Sequence, residues 1–225
     1  MPAFLELPCL CLVADTSVIS PDQLAPRVSA AVAGGVGLVQ LRARELPGGR
    51  MLSLAEELKR ATGGKAVFLV NERVDIALAA AADGVQLGEE ALPVAAARQL
   101  LPGGKLIGRS VHSADGAVDA SAAGADFLVV GTMFATGSHP GAVPAGPSLM
   151  REVSSRCGAP LFGIGGITAG NLAKVVGAGA SGVAVIRSIL SASDPQAAAS
   201  ELKLALQEAW QSRPPLAEPV PSRLP

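Results

Sequence analysis

Two glycine-rich turns near the C-terminal end of the chain have the residue types needed to bind a phosphate group. One apolar run, residues 160–164, ends in Gly165 and Gly166, and a second run, residues 182–186, is followed by Arg187 and Ser188. A glycine backbone lets an anion approach its N–H groups closely, and the start of a helix adds partial positive charge. The pattern predicts a phosphate site at these four residues, with a tight strand-to-helix turn as the simpler alternative.

Polar side chains also lie at or just after the C-terminal ends of the earlier apolar runs, and more of them lie in the loop after the sixth run. They are Asp15, Gln40, Arg42, Arg44, Asn71, Glu72, Gln86, Glu89, Glu90, Arg109, Ser110 and His112, and then Thr132, Thr136, Ser138 and His139. Cations, amides and carboxylates around a phosphate site suit a small anionic substrate that is rich in nitrogen and oxygen. The set does not by itself name a reaction.

Structural roles for several of these residues remain open from the sequence. The alternatives are ion pairs for Arg42 and Arg44, a turn for Asn71, solvated charges at a helix start for Glu89 and Glu90, a helix cap or core hydrogen bond for His112, and a solvated loop position for His139. Each alternative is a common use of that residue type.

The elements that carry these residues alternate between short apolar runs and helical patterns. Strands are predicted at residues 9–14, 37–42, 66–70, 84–87, 105–110, 127–130, 160–164 and 182–186, and helices at residues 46–61, 74–82, 93–101, 148–156 and 195–211. We also expect helices that begin after Ser20, Ser113 and Arg187. Such alternation implies parallel strands with right-handed crossovers, and eight units predict a single (β/α)8 TIM barrel with its chemistry at the C-terminal ends of the strands. We assign residues 1–211 to the barrel and residues 212–225 to a disordered, proline-rich tail.

Composition excludes several classes of protein. The 225 residues are 49% hydrophobic, but no stretch is long and apolar enough to predict a membrane span. The net charge is −1, and we find no basic stripe that would indicate a nucleic-acid partner. The three cysteines lack metal-binding spacing, and Cys9 and Cys11 are expected to be buried core thiols. We expect a cytoplasmic protein, with homo-oligomerisation left open.

Seven motifs in this chain resemble those of the thiamine phosphate synthase/TenI superfamily in order and spacing. They are VQLRARE, VNERVDIAL, AADGVQLGEE, IGRSVHS, GADFLVVGTMFATGSHPG, PLFGIGGIT and GVAVIRSI, and the resemblance covers about residues 9–190. The resemblance implies a TIM barrel that binds a hydroxyethylthiazole phosphate. The synthases join this phosphate to an aminopyrimidine pyrophosphate with magnesium and release pyrophosphate. The TenI branch isomerises a carboxylated thiazole phosphate.

Residue by residue, the resemblance to the synthases is incomplete. Gln40, Arg42 and Asn71 match the synthase pattern, whereas Arg44 replaces a lysine. Glu72 replaces one magnesium-binding aspartate, and Ala91 stands in the place of the other. His139 stands where the synthases have a lysine, and Gln86 and the phrase IGRSVHS are closer to the TenI branch.

From these departures we predict a TenI-like tautomerase that needs no cofactor. Its expected catalytic residues are His139, Arg42, Arg44 and Thr132, and its expected binding residues are Gln40, Asn71, Ser110, Thr136, Ser138, Gly165, Gly166, Arg187 and Ser188. The alternative is a synthase in which Glu72 and Glu90 hold magnesium. A second alternative is a non-catalytic barrel that binds a phosphate ester.

Overall fold

Strands and helices alternate through the described part of the chain as far as residue 190, and one further helix follows. The computed structural model describes residues 5–136 and 143–214. The strands are β1 Cys9–Asp15, β2 Leu38–Arg42, β3 Val67–Asn71, β4 Gly84–Leu87, β5 Leu106–Val111, β6 Phe127–Gly131, β7 Leu161–Ile164 and β8 Gly182–Val185. The helices are α1 Pro21–Ala33, α2 Gly48–Ala61, α3 Val74–Ala79, α4 Val94–Leu100, α5 Ala114–Ala122, α6 Gly146–Arg156, α7 Leu172–Val176, α8 Arg187–Leu190 and α9 Pro195–Ser212.

The eight strands form one closed parallel barrel. Each strand pairs with the next along the chain, and β8 returns to pair with β1, with Cys9 opposite Gly182. The predicted (β/α)8 TIM barrel is therefore confirmed. Because all strands run the same way, the residues at their C-terminal ends meet at one mouth.

The barrel interior is filled by large apolar side chains below that mouth. Phe127 and Phe162 meet edge to face, with ring centroids 5.3 Å apart, and Cys9 and Cys11 lie in the same interior cluster. Gly108 leaves room for this packing, because a Cβ atom there would lie 2.2 Å from the Phe127 ring. Cys9 and Cys11 are buried, as expected.

Helix boundaries follow local capping and packing. The side chain of Ser113 accepts a hydrogen bond from the N–H of Gly116, which caps α5 as the sequence predicts. α3 ends at Ala79, three residues earlier than predicted, because Ala81 has a φ of 50° and the N–H of Ala82 turns back to the Ala77 carbonyl. A residue with left-handed backbone cannot continue a right-handed helix.

The last helix packs against the first and covers that side of the barrel. At Gly34, just after α1, a Cβ atom would lie 2.4 Å from the Gln196 carbonyl, so α1 and α9 approach closely. α9 extends to Ser212, and residues 215–225 of the predicted tail lie outside the described residues. Within the described ranges, no helix has the length and hydropathy needed to cross a bilayer.

Candidate active site

A cavity of about 240 Å³ opens at the C-terminal mouth of the barrel. Its lining includes the following residues expected from the sequence: Gln40, Arg42, Arg44, Asn71, Glu72, Ser110, Thr132, Thr136, Gly165, Gly166, Arg187 and Ser188. Glu90 is not part of that lining, whereas its neighbour Glu89 is. Ser138 and His139 lie outside the described residues. The strand ends therefore bring the described residues together as a parallel barrel requires.

Two buried amides form part of the wall on β2 and β3. The Gln40 side-chain amide donates a 2.7 Å hydrogen bond to Oδ1 of Asn71, and both residues are buried. The second N–H of Gln40 and the Asn71 amide N–H groups take no part in this bond and can still donate to a ligand. Asn71 is the last residue of β3, and its side chain is part of the site.

Arg42 is held in the mouth by a buried carboxylate on the neighbouring strand. Nη1 of Arg42 lies 2.5 Å from Oδ2 of Asp15, and the Ser17 backbone N–H and hydroxyl both donate to Oδ1 of Asp15. Burial raises the pKa of Asp15, but the hydrogen bonds from Ser17 and the charge of Arg42 outweigh it, so the pKa lies below its ordinary value. The pair is therefore charged at neutral pH.

Arg44 and Glu72 form a second ion pair at the rim. Nη2 of Arg44 lies 3.2 Å from Oε1 of Glu72, and the Arg44 side chain is 56% exposed. Glu72 has a φ of 62°, an uncommon backbone conformation for a residue other than glycine. Its carboxylate lies over Gly88, where an added Cβ atom would be 2.8 Å from Oε1. Such local strain is concentrated at functional sites.

Polar side-chain contacts join the loop after β4 to the end of β5. Nδ1 of His112 lies 3.0 Å from Oε1 of Glu89, and the Arg109 guanidinium donates to the Glu89 and Leu92 carbonyl oxygens. Below this loop, Nε2 of Gln86 donates to the Ser110 hydroxyl at 3.1 Å. His112 is thus neither a helix cap nor a core residue, because its side chain is 56% exposed and pairs with a carboxylate.

The two predicted phosphate turns lie side by side after β7 and β8. Gly165 and Gly166 have φ angles of 103° and 62°, and a Cβ atom on Gly166 would lie 2.4 Å from the Ala135 carbonyl oxygen. Among the described residues, neither glycine donates its backbone N–H to another group. The Ser188 hydroxyl donates to the Ile167 carbonyl at 2.7 Å, which joins the start of α8 to this turn.

Cations and carboxylates are distributed unevenly around the mouth. Arg187 lines the cavity beside the glycine turn and forms no ion pair within residues 5–136 and 143–214. Glu72 and Glu89 follow β3 and β4, on the other side of the mouth from Arg187, and each contacts a basic side chain. The described residues contain no cluster of three or more histidine, cysteine, aspartate or glutamate side chains able to hold a metal ion.

Comparison with known proteins identifies the family. Residues 10–189 match the family described as thiamine monophosphate synthase. The chain belongs to this family. A thiamine-phosphate synthase of Methanoculleus marisnigri is 47% identical over 175 residues, which cover 77% of this chain and 83% of that protein. One from Chlorobium luteolum is 43% identical over 199 residues, covering 87% and 91% of the two chains.

A solved structure agrees with these relatives in fold and family. The thiamine phosphate pyrophosphorylase from Pyrococcus furiosus is 33% identical, with a TM-score of 0.81, and the match covers 89% of this chain and 96% of that one. The family places this chain among enzymes of thiamine biosynthesis.

The expectation of a TenI-like tautomerase is wrong. The relatives above, at 43–47% identity, are named as synthases. The expectation gives too much weight to the departures at Glu72, Ala91 and His139. Arg44 keeps the positive charge of the lysine that it replaces, and Glu72 keeps a carboxylate at the cavity wall.

Sequence reasoning missed the apolar floor of the cavity, formed by Val13, Val129 and Ala184. A signal was present, because alternate residues of a barrel strand face inward. The sequence places Asp15, Gln86 and Glu89 at strand ends but does not predict their partners. Their contacts depend on side-chain conformation, which the sequence pattern does not specify.

Proposed function

We propose that the protein is a thiamine-phosphate synthase, which joins an aminopyrimidine pyrophosphate to hydroxyethylthiazole phosphate and releases pyrophosphate. The observation that carries the proposal is that one cavity contains two separate sets of anion-binding groups. Arg42 and Arg44 come from β2 and the loop after it, and the glycine turn with Arg187 comes from β7 and β8. A reaction between a pyrophosphate and a phosphate ester needs two such sets in one cavity.

The arginine side suits the pyrophosphate. The carbon–oxygen bond to pyrophosphate breaks, and its electron pair leaves with the pyrophosphate, so negative charge grows on the leaving group. The nitrogen lone pair of the thiazole then forms the new carbon–nitrogen bond and leaves a cationic ring. Arg42 and Arg44 would stabilise the growing negative charge through charge-assisted hydrogen bonds. No proton has to move in this balance, so the reaction does not depend on a histidine acting as a base.

The glycine side suits the phosphate ester. The backbone N–H groups of Gly165 and Gly166 are without acceptors among the described residues, and so are those of Arg187 and Ser188, the first two residues of α8. Arg187 adds a side-chain cation to these donors. The Ser188 hydroxyl is already bonded to Ile167, so it would act by fixing the turn, while the N–H groups bind the phosphate.

The side chains around the arginines also suit magnesium bound to the pyrophosphate. Magnesium usually takes one or two protein carboxylates together with phosphate oxygens and water, and its function here would be to neutralise the leaving group. Glu72 is the carboxylate that fits, because its oxygen lies over Gly88 at the cavity wall. Glu89 lines the same cavity and Glu90 does not, so Glu89 is the better candidate for a second ligand.

The test is product analysis with both substrates. The purified protein is incubated with the aminopyrimidine pyrophosphate and hydroxyethylthiazole phosphate, with magnesium or with EDTA. We expect thiamine phosphate and pyrophosphate in equal amounts, and loss of both with EDTA. Binding of both substrates without product would instead indicate a non-catalytic barrel. Homo-oligomerisation and a cytoplasmic location remain predictions.

A further inference from the structure

We propose that Asp15 is a positioning residue for the synthase reaction, which holds Arg42 in the orientation that receives the pyrophosphate. The inference rests on the proposed function, because it assigns the Arg42 side of the cavity to that group. Asp15 is not among the residues that line the cavity, whereas Arg42 is. Asp15 would therefore act on the substrate only through Arg42.

The contacts of Asp15 determine where the guanidinium lies. Asp15 ends β1, and the strand register sets it directly beside Arg42 on β2. Its Oδ2 atom accepts a hydrogen bond from Nη1 of Arg42, and its Oδ1 atom accepts two hydrogen bonds from Ser17. The carboxylate is 4% exposed and thus cannot rotate away into water. One edge of the guanidinium is fixed in this way, and its other N–H groups remain for an anion.

Because Asp15 already holds Arg42, binding the pyrophosphate costs less side-chain conformational entropy than it would with a flexible arginine. An arginine side chain loses much rotamer freedom when it is immobilised at an interface with a ligand. Arg42, with a side chain 23% exposed, is already ordered by Asp15, whereas Arg44, 56% exposed, is held only by a rim contact. The two arginines of the pyrophosphate side thus differ, with Arg42 as the preorganised one.

The first test measures binding without turnover. Calorimetry measures the affinities of the parent protein and of Asp15→Asn for two ligands. One ligand is inorganic pyrophosphate in the presence of magnesium, and the other is hydroxyethylthiazole phosphate. We expect the affinity for pyrophosphate to fall about tenfold to a hundredfold, because a small displacement of a binding group is costly. Affinity for hydroxyethylthiazole phosphate should stay within about twofold of the parent. Asp22→Asn, an exposed carboxylate on α1, is the matched control and should change neither affinity.

A double-mutant cycle separates positioning from a general structural role. Arg42→Gln alone should weaken pyrophosphate binding, and adding Asp15→Asn to it should cause no further loss, because the positioned group is then missing. In the steady-state assay, Asp15→Asn should raise KM for the aminopyrimidine pyrophosphate and leave KM for the thiazole phosphate unchanged. Ser17→Ala, which keeps the charge but frees Oδ1 from one bond, should show a smaller change in the same direction.

The proposal is overturned if Asp15→Asn keeps the parent affinity for pyrophosphate, or if it weakens both ligands equally. The proposal would also be overturned if Asp15→Asn lowered the affinity for pyrophosphate by the same factor in Arg42→Gln as in the parent, since Asp15 would then act independently of Arg42. If Asp15→Asn does not fold, unchanged pyrophosphate affinity in Ser17→Ala overturns it instead. A parent protein that forms no thiamine phosphate contradicts the proposed function, and that result comes from the product assay alone.

Discussion

At the scale of single residues, Glu72 is the side chain whose conformation points most directly to a function. It has left-handed backbone, pairs with Arg44 and extends its carboxylate over Gly88. The conformation is explained if the carboxylate has to reach a ligand in the mouth.

Glu72→Gln should raise the magnesium concentration needed for half-maximal synthase activity by about tenfold or more, because a neutral amide is a weaker ligand for a hard cation. The measurement is a magnesium titration of the initial rate, with manganese binding followed by electron paramagnetic resonance as a readout independent of activity. Glu90→Gln is the matched control, since Glu90 is exposed and outside the cavity lining. Equal magnesium curves for Glu72→Gln and the parent would contradict the assignment.

Arg187 allows a similar test on the other side of the mouth. Arg187→Gln should raise KM for hydroxyethylthiazole phosphate about three- to tenfold and leave KM for the pyrophosphate substrate unchanged, because the side chain adds one charge-assisted contact to the backbone donors. The effect should diminish as salt is added. Arg151→Gln on α6, also exposed, controls for the loss of a surface charge. Equal changes in both KM values would count against a role confined to the phosphate.

At the scale of elements, the sequence predicts the barrel well because each strand and helix carries a local signal. Apolar runs with β-branched residues mark the strands, and turn residues mark their ends, so all eight strands could be assigned. The sequence predicts α3 to continue to residue 82, three residues too far, because no side-chain pattern reveals the left-handed backbone at Ala81. At the mouth, Glu89 and Glu90 are equivalent in sequence, and only the path of the loop selects Glu89.

Helix α9 provides a prediction about the end of the chain. A protein truncated after Pro214 should melt within a few degrees of the full chain and keep its affinity for hydroxyethylthiazole phosphate, because every residue of α9 is retained. Truncation after Ser193 should instead abolish cooperative folding, since α9 buries Leu202 and Leu206 and packs on α1. Thermal unfolding and calorimetry measure both. A large loss of thermal stability or of affinity in the protein that ends at Pro214 would show that residues 215–225 contact the barrel.

At the scale of the whole molecule, the three cysteines report on global unfolding. Cys9, Cys11 and Cys157 are all buried, and burial raises the pKa of Cys9 to about 12. A thiol reacts as the thiolate, so at pH 8 Cys9 would be almost entirely in the unreactive form even where reagent could reach it. No cysteine should react with a thiol reagent in the native protein, and all three should react in denaturant. Rapid reaction of Cys9 or Cys11 in the native protein would contradict the closed barrel interior.

The closure of the barrel has a consequence for how the protein is made. Within the barrel, β1 is synthesised before the other strands, and one of its edges has no barrel partner until β8, residues 182–185, has been synthesised. Unpaired strand edges are prone to association with other chains. The edge of β1 therefore stays unpaired within the barrel until β8 emerges. Among the strand-end turns of the barrel, those proposed to bind phosphate are synthesised last, so a chain that ends before β8 has no complete site.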